Sequence, residues 1–326
     1  MSSKAKILLI YTGGTIGMSK DFETGALKAF NFGKLIQKIP EIKQLDCEIE
    51  SISFEHPIDS SNMNPEMWTR IATIIEENYN AYDGFVVLHG SDTMSYSASA
   101  LSFMLENLAK PVVFTGSQLP IGDLRTDAKE NLITSIQLAS LRKNDKPIIK
   151  EVCVYFEYKL FRANRTTKIN AENFDAFESP NYPVIGVSGV HLEVKEDLLL
   201  KNIVTDKLSI NKNLNADVGV LKIFPGMNRS FIESVLNAPN MKAFIIEAFG
   251  TGNIFTDDWF IELLEEVTNK GVHLIINTQC AGGMVELGRY ATSDALLNMG
   301  AISSYDLTME AAITKAIYLL GQNLSK

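Results

Sequence analysis

The amino-acid sequence predicts an α/β fold, with a larger N-terminal domain built on a mostly parallel sheet flanked by helices and a smaller C-terminal α/β domain. Three observations predict it. Short apolar, β-branched segments recur along the 326 residues, helical patterns lie between them, and most of the apolar segments end in Thr, Ser, Gly or Asp. Short apolar segments are typical of strands buried on both faces, and their alternation with helices is typical of a parallel sheet.

The two patterns define the expected elements in order. Strands are expected at 7–11, 85–88, 112–114, 152–156, 244–246 and 274–276, with a further strand starting near 218. Helices are expected at 64–79, 95–108, 125–142, 256–269 and 308–324. The charged segment from 190 to 216 lacks both patterns and is interpreted as a hairpin and linker. We therefore expect an N-terminal catalytic domain at 1–195, a linker at 196–216 and a C-terminal domain at 217–326.

Composition and charge argue against several classes of protein. The net charge is −9 and the basic residues are scattered, whereas nucleic-acid-binding proteins present a basic surface. No apolar run approaches the roughly 20 residues of a membrane span. Cys47, Cys153 and Cys280 are widely spaced and indicate neither a disulfide framework nor a metal site. Without a signal-peptide pattern before the first strand, we expect a cytoplasmic protein that binds neither nucleic acid nor membranes.

The first strand ends in the segment TGGTIG at 12–17, which has three interpretations. Its glycines suit a tight turn, but that leaves the two threonines unexplained. A phosphate-binding loop is disfavoured, because the spacing matches neither the dinucleotide fingerprint nor a P-loop. The third interpretation is a nucleophilic hydroxyl at a strand end, beside backbone N–H groups that stabilise an oxyanion.

Other polar segments admit both a structural and a chemical interpretation. In HGSDTM at 89–94, Asp92 is placed to cap the next helix, or equally to bind a substrate ammonium group beside the Ser91 hydroxyl. His89, which precedes a glycine, is interpreted as a packed structural residue. Lys168 is a surface charge unless it is buried, since only a buried lysine acts as a base near neutral pH. The segment DSSN at 59–62 is by itself an ordinary polar loop with a capping residue.

These polar segments are expected to form one site. Several of them follow predicted strands, and ligands bind outside the carboxyl ends of the strands in a parallel sheet. Together they resemble the bacterial L-asparaginase family, and specifically its cytoplasmic type I branch. The resemblance covers nearly the whole chain and rests on five segments in family order: YTGGTIGM at 11–18, HGSDTM at 89–94, TGSQ at 115–118, NRTTK at 164–168 and NTQC at 277–280.

The resemblance implies a two-domain amidohydrolase that converts L-asparagine to L-aspartate and ammonia without a metal or organic cofactor. Thr15 corresponds to the primary nucleophile, which forms a β-aspartyl-enzyme intermediate. Ser91, Asp92 and Lys168 correspond to the second catalytic group, although many members have threonine where this chain has Ser91. The implied assembly is a homodimer or homotetramer in which the C-terminal domain of a partner subunit completes each active site.

The resemblance also implies how asparagine is held. Ser60 and Ser61 correspond to residues that bind its α-carboxylate, and Asp92 corresponds to the residue that binds its α-ammonium group. The turn that contains Ser117 lies where a backbone group contacts the scissile amide. The backbone of Gly14 belongs to the glycine turns expected to stabilise the oxyanion.

One departure from the family concerns a flexible loop after the first segment. Members often carry a tyrosine there, close to the nucleophile, and Ala26 occupies that position in this chain. Tyr305, in the C-terminal domain, is the candidate substitute. The loop at 18–32 is expected to close as a lid, with Gly25 and Gly33 as hinges.

Four alternatives to a strict asparaginase stay open from the sequence. A broader asparaginase/glutaminase differs only in pocket geometry. A tRNA-dependent amidotransferase subunit typically has an added N-terminal region, whereas this chain starts at the first strand. A non-catalytic amino-acid-binding protein shares the scaffold, and a dinucleotide-dependent oxidoreductase is disfavoured by the glycine spacing. A regulatory asparagine site near Thr167 and Cys280 is not expected, because Glu247 replaces a basic residue there.

Overall fold

The computed structural model describes residues 4–20, 27–29, 39–201, 207–288 and 291–322. The chain divides into two units, Met1–Lys212 and Asn213–Lys326. The first unit contains a large, mostly parallel sheet with helices packed on it, and the second contains a smaller parallel sheet with its own helices. The α/β fold class expected from the sequence is therefore confirmed.

The large sheet places its first and third strands side by side. Its strands are β1 (Ala5–Gly13), β2 (Cys47–Ile58), β3 (Gly84–Leu88), β4 (Val112–Thr115), β5 (Val152–Phe156), β6 (Lys159–Arg162), β7 (Gly186–Ser188) and β8 (Leu192–Val194). The order across the sheet is β8-β7-β6-β5-β4-β3-β1-β2, with β1 to β5 parallel and β6 to β8 antiparallel. The strand order reverses between β1 and β3, and ligands bind at the carboxyl ends of such a pair.

Three helices of the first unit are α1 (Pro65–Asn78), α2 (Met94–Met104) and α3 (Ala128–Ser140). The start of α1 follows from its sequence. The Asn64 side chain accepts a hydrogen bond from the Met67 N–H at 3.2 Å, and Pro65 occupies the first helical position, where its missing N–H costs nothing.

The apolar sequence of β1 accounts for its central position. Residues 7–11 are almost completely buried, as expected for a strand covered on both faces. Ile7 and Leu9 belong to a core cluster that also contains Leu132 and Ile136 of α3, so α3 packs on that face of the sheet. This packing holds the carboxyl end of β1, and the loop after it, in a fixed position.

The C-terminal unit is a four-stranded parallel sheet in the order β9-β10-β11-β12. Its strands are β9 (Val218–Lys222), β10 (Ala243–Ala248), β11 (His273–Thr278) and β12 (Ile302–Ser303). Its helices are α4 (Arg229–Leu236), α5 (Asp258–Asn269), α6 (Ala291–Asn298) and α7 (Met309–Gly321). Apolar residues from β10, β11 and α5 form its core.

Strands β2, β6, β7 and β12 and helices α4 and α6 were not expected from the sequence. β6, β7 and β12 have only two to four residues each. β2 is the edge strand of the large sheet, and its sequence CEIESISFEHPI mixes charged residues with apolar ones because much of the strand is exposed. Both α4 and α6 have eight residues, about two turns, which is too short to show a clear helical period.

Short two-stranded pairs complete the architecture. They join Met18–Lys20 with Leu27–Ala29, Leu105–Glu106 with Ser209–Ile210, Arg142–Lys143 with Lys146–Pro147, and Thr167–Lys168 with Phe177–Glu178. None of the helices in the described ranges combines the length and apolar character that crossing a membrane requires.

Candidate active site

The loops after β1 and β3 touch at a pair of glycines. A Cβ atom built on Gly14 would lie 2.5 Å from the backbone nitrogen of Gly90, so only glycine allows this approach. Gly14 also has φ +85°, a conformation that side chains disfavour. Thr15 follows one glycine and Ser91 follows the other. The two hydroxyl-bearing residues singled out from the sequence therefore flank a single backbone contact.

The loops that contain Ser60 and Gly116 also lie next to the loop of His89 and Gly90. The Ser60 hydroxyl would lie 2.5 Å from a Cβ atom on Gly90, and the Thr93 hydroxyl donates to the Ser60 carbonyl at 2.7 Å. A Cβ atom on Gly116 would collide with the His89 carbonyl oxygen. The structure thus brings four separate polar segments together at the carboxyl end of the sheet.

Thr15 begins a short 3-10 turn, Thr15–Gly17, and is half-buried. Tyr11 lies against this turn. Its phenol is so close to Gly17 that a Cβ atom on Gly17 would collide with it. Burial raises the pKa of Tyr11 to about 12, so the phenol stays protonated at neutral pH. Tyr11 therefore does not supply the base that a threonine nucleophile needs.

A lysine, a serine and an aspartate form a hydrogen-bonded array beside the glycine contact. The Lys168 ammonium group donates to Ser91 Oγ at 2.8 Å and to Asp92 Oδ1 at 2.7 Å. The Lys168 side chain is only 15% exposed, whereas that of Asp92 is 69% exposed. Lys168 is thus held inside the site, and the Asp92 carboxylate opens to solvent, where it can receive a ligand.

His89 is a buried, neutral residue with no nitrogen free for catalysis. Its Nδ1 lies 2.7 Å from the Gly90 carbonyl, which only accepts, so Nδ1 carries the proton. Its Nε2 then accepts from the Ser97 hydroxyl at 2.8 Å, and Ser97 Oγ accepts from the Trp68 indole at 3.0 Å. Burial lowers the pKa of His89 to about 4. This geometry agrees with the structural interpretation of His89.

Sequence reasoning missed two residues, Gln118 and Asp127. The Gln118 side chain accepts a hydrogen bond from the Ser91 hydroxyl at 3.1 Å. The Asp127 carboxylate accepts from the backbone N–H groups of Gln118 at 2.9 Å and Leu119 at 3.1 Å, and so holds the turn after β4. Burial raises the pKa of Asp127 against the lowering effect of these N–H groups. Its position just before α3 is the usual place of a capping residue, which hides this role in the sequence.

The expected substrate-binding hydroxyls are not equivalent. Ser60 is buried next to Gly90, but Ser61 is exposed and its hydroxyl donates to Asp59 at 2.8 Å. The N–H and hydroxyl of Ser61 lower the pKa of Asp59. The Ser117 hydroxyl donates to the Leu119 carbonyl at 2.6 Å, so at this turn the backbone is the more available group.

Tyr305 lies in the C-terminal unit and is 66% exposed. Its φ of +54° is uncommon for a bulky residue. Ala26 and the expected hinges Gly25 and Gly33 lie outside the described residues.

The structure also describes the three residues on which the sequence argument against a regulatory site rests. Thr167 is half-buried, Cys280 is exposed, and Glu247 lies 3.6 Å from Lys222 in an ion pair. Within the described ranges, no group of three or more His, Cys, Asp or Glu side chains is arranged to hold a metal ion.

The chain is similar to known proteins over both of its units. Residues 6–200 match the family model of the asparaginase N-terminal domain, and residues 217–326 match the glutaminase/asparaginase C-terminal domain. The chain belongs to the asparaginase family. L-asparaginase 1 of Escherichia coli K12 is 39% identical over 98% of this chain and 93% of its own length.

Solved structures of the family are similar over the whole fold. L-asparaginase I from Vibrio cholerae matches with a TM-score of 0.89 and 38% identity, covering 99% of this chain and 94% of its own. The thermostable L-asparaginase from Thermococcus kodakarensis matches with a TM-score of 0.87 and 30% identity, covering 98% and 93%. The resemblance stated from the sequence is confirmed, and the chain is an amidohydrolase.

Proposed function

We propose that this asparaginase-family protein hydrolyses L-asparagine to L-aspartate and ammonia, with Thr15 as the nucleophile. The observation that carries the proposal is the contact between Gly14 and Gly90. Thr15 directly follows Gly14, and Ser91, which accepts a hydrogen bond from Lys168, directly follows Gly90. Amide hydrolysis in two half-reactions needs such a pairing of a nucleophile with a group that orients water.

In the first half-reaction, Thr15 Oγ attacks the side-chain carbonyl carbon of asparagine. The negative charge that develops on the carbonyl oxygen is stabilised by backbone N–H groups of the glycine turns, of which Gly14 is one. One such donor typically contributes about 3–4 kcal/mol to transition-state stabilisation. The C–N bond breaks, the threonine proton passes to the leaving nitrogen, and ammonia departs from a β-aspartyl ester on Thr15.

In the second half-reaction, water oriented by Ser91 and Lys168 attacks the ester. The new C–O bond forms as the bond to Thr15 Oγ breaks, and one water proton returns to Thr15. Aspartate is released and the hydroxyl of Thr15 is restored. Lys168, held by Asp92 at 2.7 Å, donates to Ser91 Oγ at 2.8 Å and so keeps the Ser91 hydroxyl in place to orient this water.

Substrate binding follows from charge and exposure. The exposed carboxylate of Asp92 binds the α-ammonium group, and the loop of Ser60 and Ser61 binds the α-carboxylate. The turn at Ser117 offers a backbone group to the scissile amide.

Tyr305 is proposed to provide the hydroxyl that Ala26 lacks. Its exposed side chain and its unusual backbone conformation support this proposal, because strained residues cluster at functional sites. Unchanged turnover in Tyr305→Phe would contradict this assignment.

The decisive experiment is ammonia release from asparagine and from glutamine by the wild-type protein, Thr15→Ala and Thr73→Ala. Thr73 is a matched control, because it lies on α1 and its hydroxyl donates to the Thr69 carbonyl of the same helix. We expect activity on asparagine that Thr15→Ala abolishes and Thr73→Ala retains.

Other outcomes of this experiment identify other functions. Equal rates on both amides would make the protein a broader asparaginase/glutaminase, since one methylene is worth only about 1–3 kcal/mol in a pocket. Inactivity on both would favour an amino-acid-binding protein. A covalent adduct found by mass spectrometry on Ser91 and not on Thr15 would overturn the nucleophile assignment.

The family resemblance also supports a cytoplasmic homodimer or homotetramer whose sites are completed by a partner subunit. Sedimentation of the purified protein tests the assembly. A fully active monomer would contradict it.

A further inference from the structure

Gln118 is the only residue outside the expected catalytic set that the described structure shows hydrogen-bonded to the Ser91 hydroxyl. Its side-chain nitrogen, Nε2, carries two hydrogens. They donate to two backbone carbonyls, of Asn173 at 3.0 Å and of Ala171 at 3.3 Å. Carbonyl oxygens only accept, so the amide can be oriented in one way only, with Oε1 toward Ser91.

This orientation determines the direction of the hydrogen bond. Because Oε1 cannot donate, the Ser91 hydroxyl must be the donor of the 3.1 Å hydrogen bond to Gln118. On the other side of Ser91 Oγ, the Lys168 ammonium group only donates, at 2.8 Å. With its hydrogen and one lone pair engaged, Ser91 has a second lone pair left for a third partner.

The backbone of Gln118 is also held. Asp127 accepts from the N–H groups of Gln118 and Leu119, and the Asn131 amide joins Asp127 at 3.2 Å to the Gly116 carbonyl at 3.0 Å. Asn131 is completely buried in α3. The side chain of Gln118 therefore points at Ser91 from a turn anchored to a core helix.

We propose that Gln118 is a positioning residue for the second half-reaction. Gln118 accepts a hydrogen bond from the Ser91 hydroxyl. The remaining lone pair of Ser91 Oγ is then directed to accept a hydrogen bond from the water that attacks the Thr15 ester. Without Gln118 the hydroxyl rotates and the water loses its orientation. This inference rests on the proposed role of Ser91 and adds a residue that the family resemblance did not assign.

The test is a double-mutant cycle on asparagine turnover. Gln118→Met removes the acceptor at similar length, and is made in the wild-type and in the Ser91→Ala background. Gln137→Met, at an exposed position on α3, is the matched control. We expect Gln118→Met to lower kcat about 10-fold, about 1.4 kcal/mol, which is the size expected for one hydrogen bond. KM should change less than about 2-fold, and Gln137→Met should match the wild-type.

In the Ser91→Ala background we expect Gln118→Met to have no further effect, because there is no hydroxyl left to position. Effects that multiply would overturn the proposal and indicate a structural role. Ala171 and Asn173 are exposed, so water can replace the lost donors and the variant should fold. Gln118→Ala, with less bulk, repeats the cycle if Gln118→Met does not fold.

The turnover of Ser91→Ala distinguishes failure of the proposed role of Ser91 from failure of the role of Gln118. If Ser91→Ala retains wild-type turnover, the proposed function of Ser91 falls, and the role of Gln118 falls with it. If Ser91→Ala is impaired but the cycle is additive, only the role of Gln118 falls.

Discussion

Protonation of His89 should destabilise the N-terminal unit as the pH falls below neutral. The ring is completely buried, and burial lowers its pKa from 6.5 to about 4. Both ring nitrogens are engaged, by the Gly90 carbonyl and the Ser97 hydroxyl, and this network ends on the Trp68 indole. A proton on Nε2 would face a hydroxyl that is already placed to donate, and complete burial of the ring disfavours the charged form.

The size and sign of the effect follow from the two pKa values. Between pH 6.5 and 4 the unfolded chain binds a proton at His89 that the folded chain does not. Stability is therefore complete above pH 6.5 and decreases as the pH falls toward 4. The pKa values differ by about 2.5, so the full loss is about 3 kcal/mol at 1.36 kcal/mol per pH unit. Between pH 7.5 and pH 5 the expected loss is about 2 kcal/mol.

The assay is urea unfolding at pH 7.5 and pH 5, followed by Trp68 fluorescence. The chain has two tryptophans, so a Trp259→Phe background isolates the signal of Trp68. His89→Asn removes the titrating ring but keeps a side-chain N–H for the Gly90 carbonyl, and it should lose about 2 kcal/mol of the pH dependence. His273→Asn, at an exposed histidine, is the matched control and should behave as the wild-type. Equal pH dependence in all three proteins, or an NMR titration of His89 near 6.5, would refute the reasoning.

Two further predictions use pairs of matched positions. Gly14→Ala and Gly271→Ala each place a Cβ atom at a positive φ, +85° and +82°, but only at Gly14 does that atom meet other backbone, at 2.5 Å. Gly271→Ala should lose about 1–2 kcal/mol of stability to strain, and Gly14→Ala should lose more because its Cβ atom also meets backbone. Only Gly14→Ala should lower kcat/KM by more than about 100-fold; equal losses of activity would contradict the close contact. Glu151→Gln breaks a buried ion pair with Arg162 at 2.7 Å, where the side chains are 2% and 12% exposed, and should cost about 3 kcal/mol in urea unfolding. Glu196→Gln, in an exposed pair, should cost less than about 1 kcal/mol, and similar costs for the two would show that burial is not the cause.

The sequence predicted most strands of the two sheets because they are buried on both faces and so are continuously apolar. It failed at β2, since an edge strand has no such pattern, at the short strands β6, β7 and β12, and at the eight-residue helices α4 and α6. It proposed Thr15, Ser91 and Lys168 as site residues through segments typical of a family.

It did not identify Gln118 or Asp127 as part of the site. Glutamine is common in polar loops, and an aspartate before a helix is common as a cap. Only their partners show what they do: the Ser91 hydroxyl for Gln118, and two backbone N–H groups for Asp127.

The sequence by itself determined the fold class, the family and the residue types available for chemistry, because these depend on local patterns of apolar, glycine and hydroxyl residues. The tertiary structure decided which of them meet. Ser91 and Lys168 are 77 residues apart in the chain, and their 2.8 Å hydrogen bond exists because the sheet brings distant loops to one edge. It also decided the protonation of His89 and the direction of the Ser91 hydrogen bond, because both depend on burial and on the partners that surround each atom.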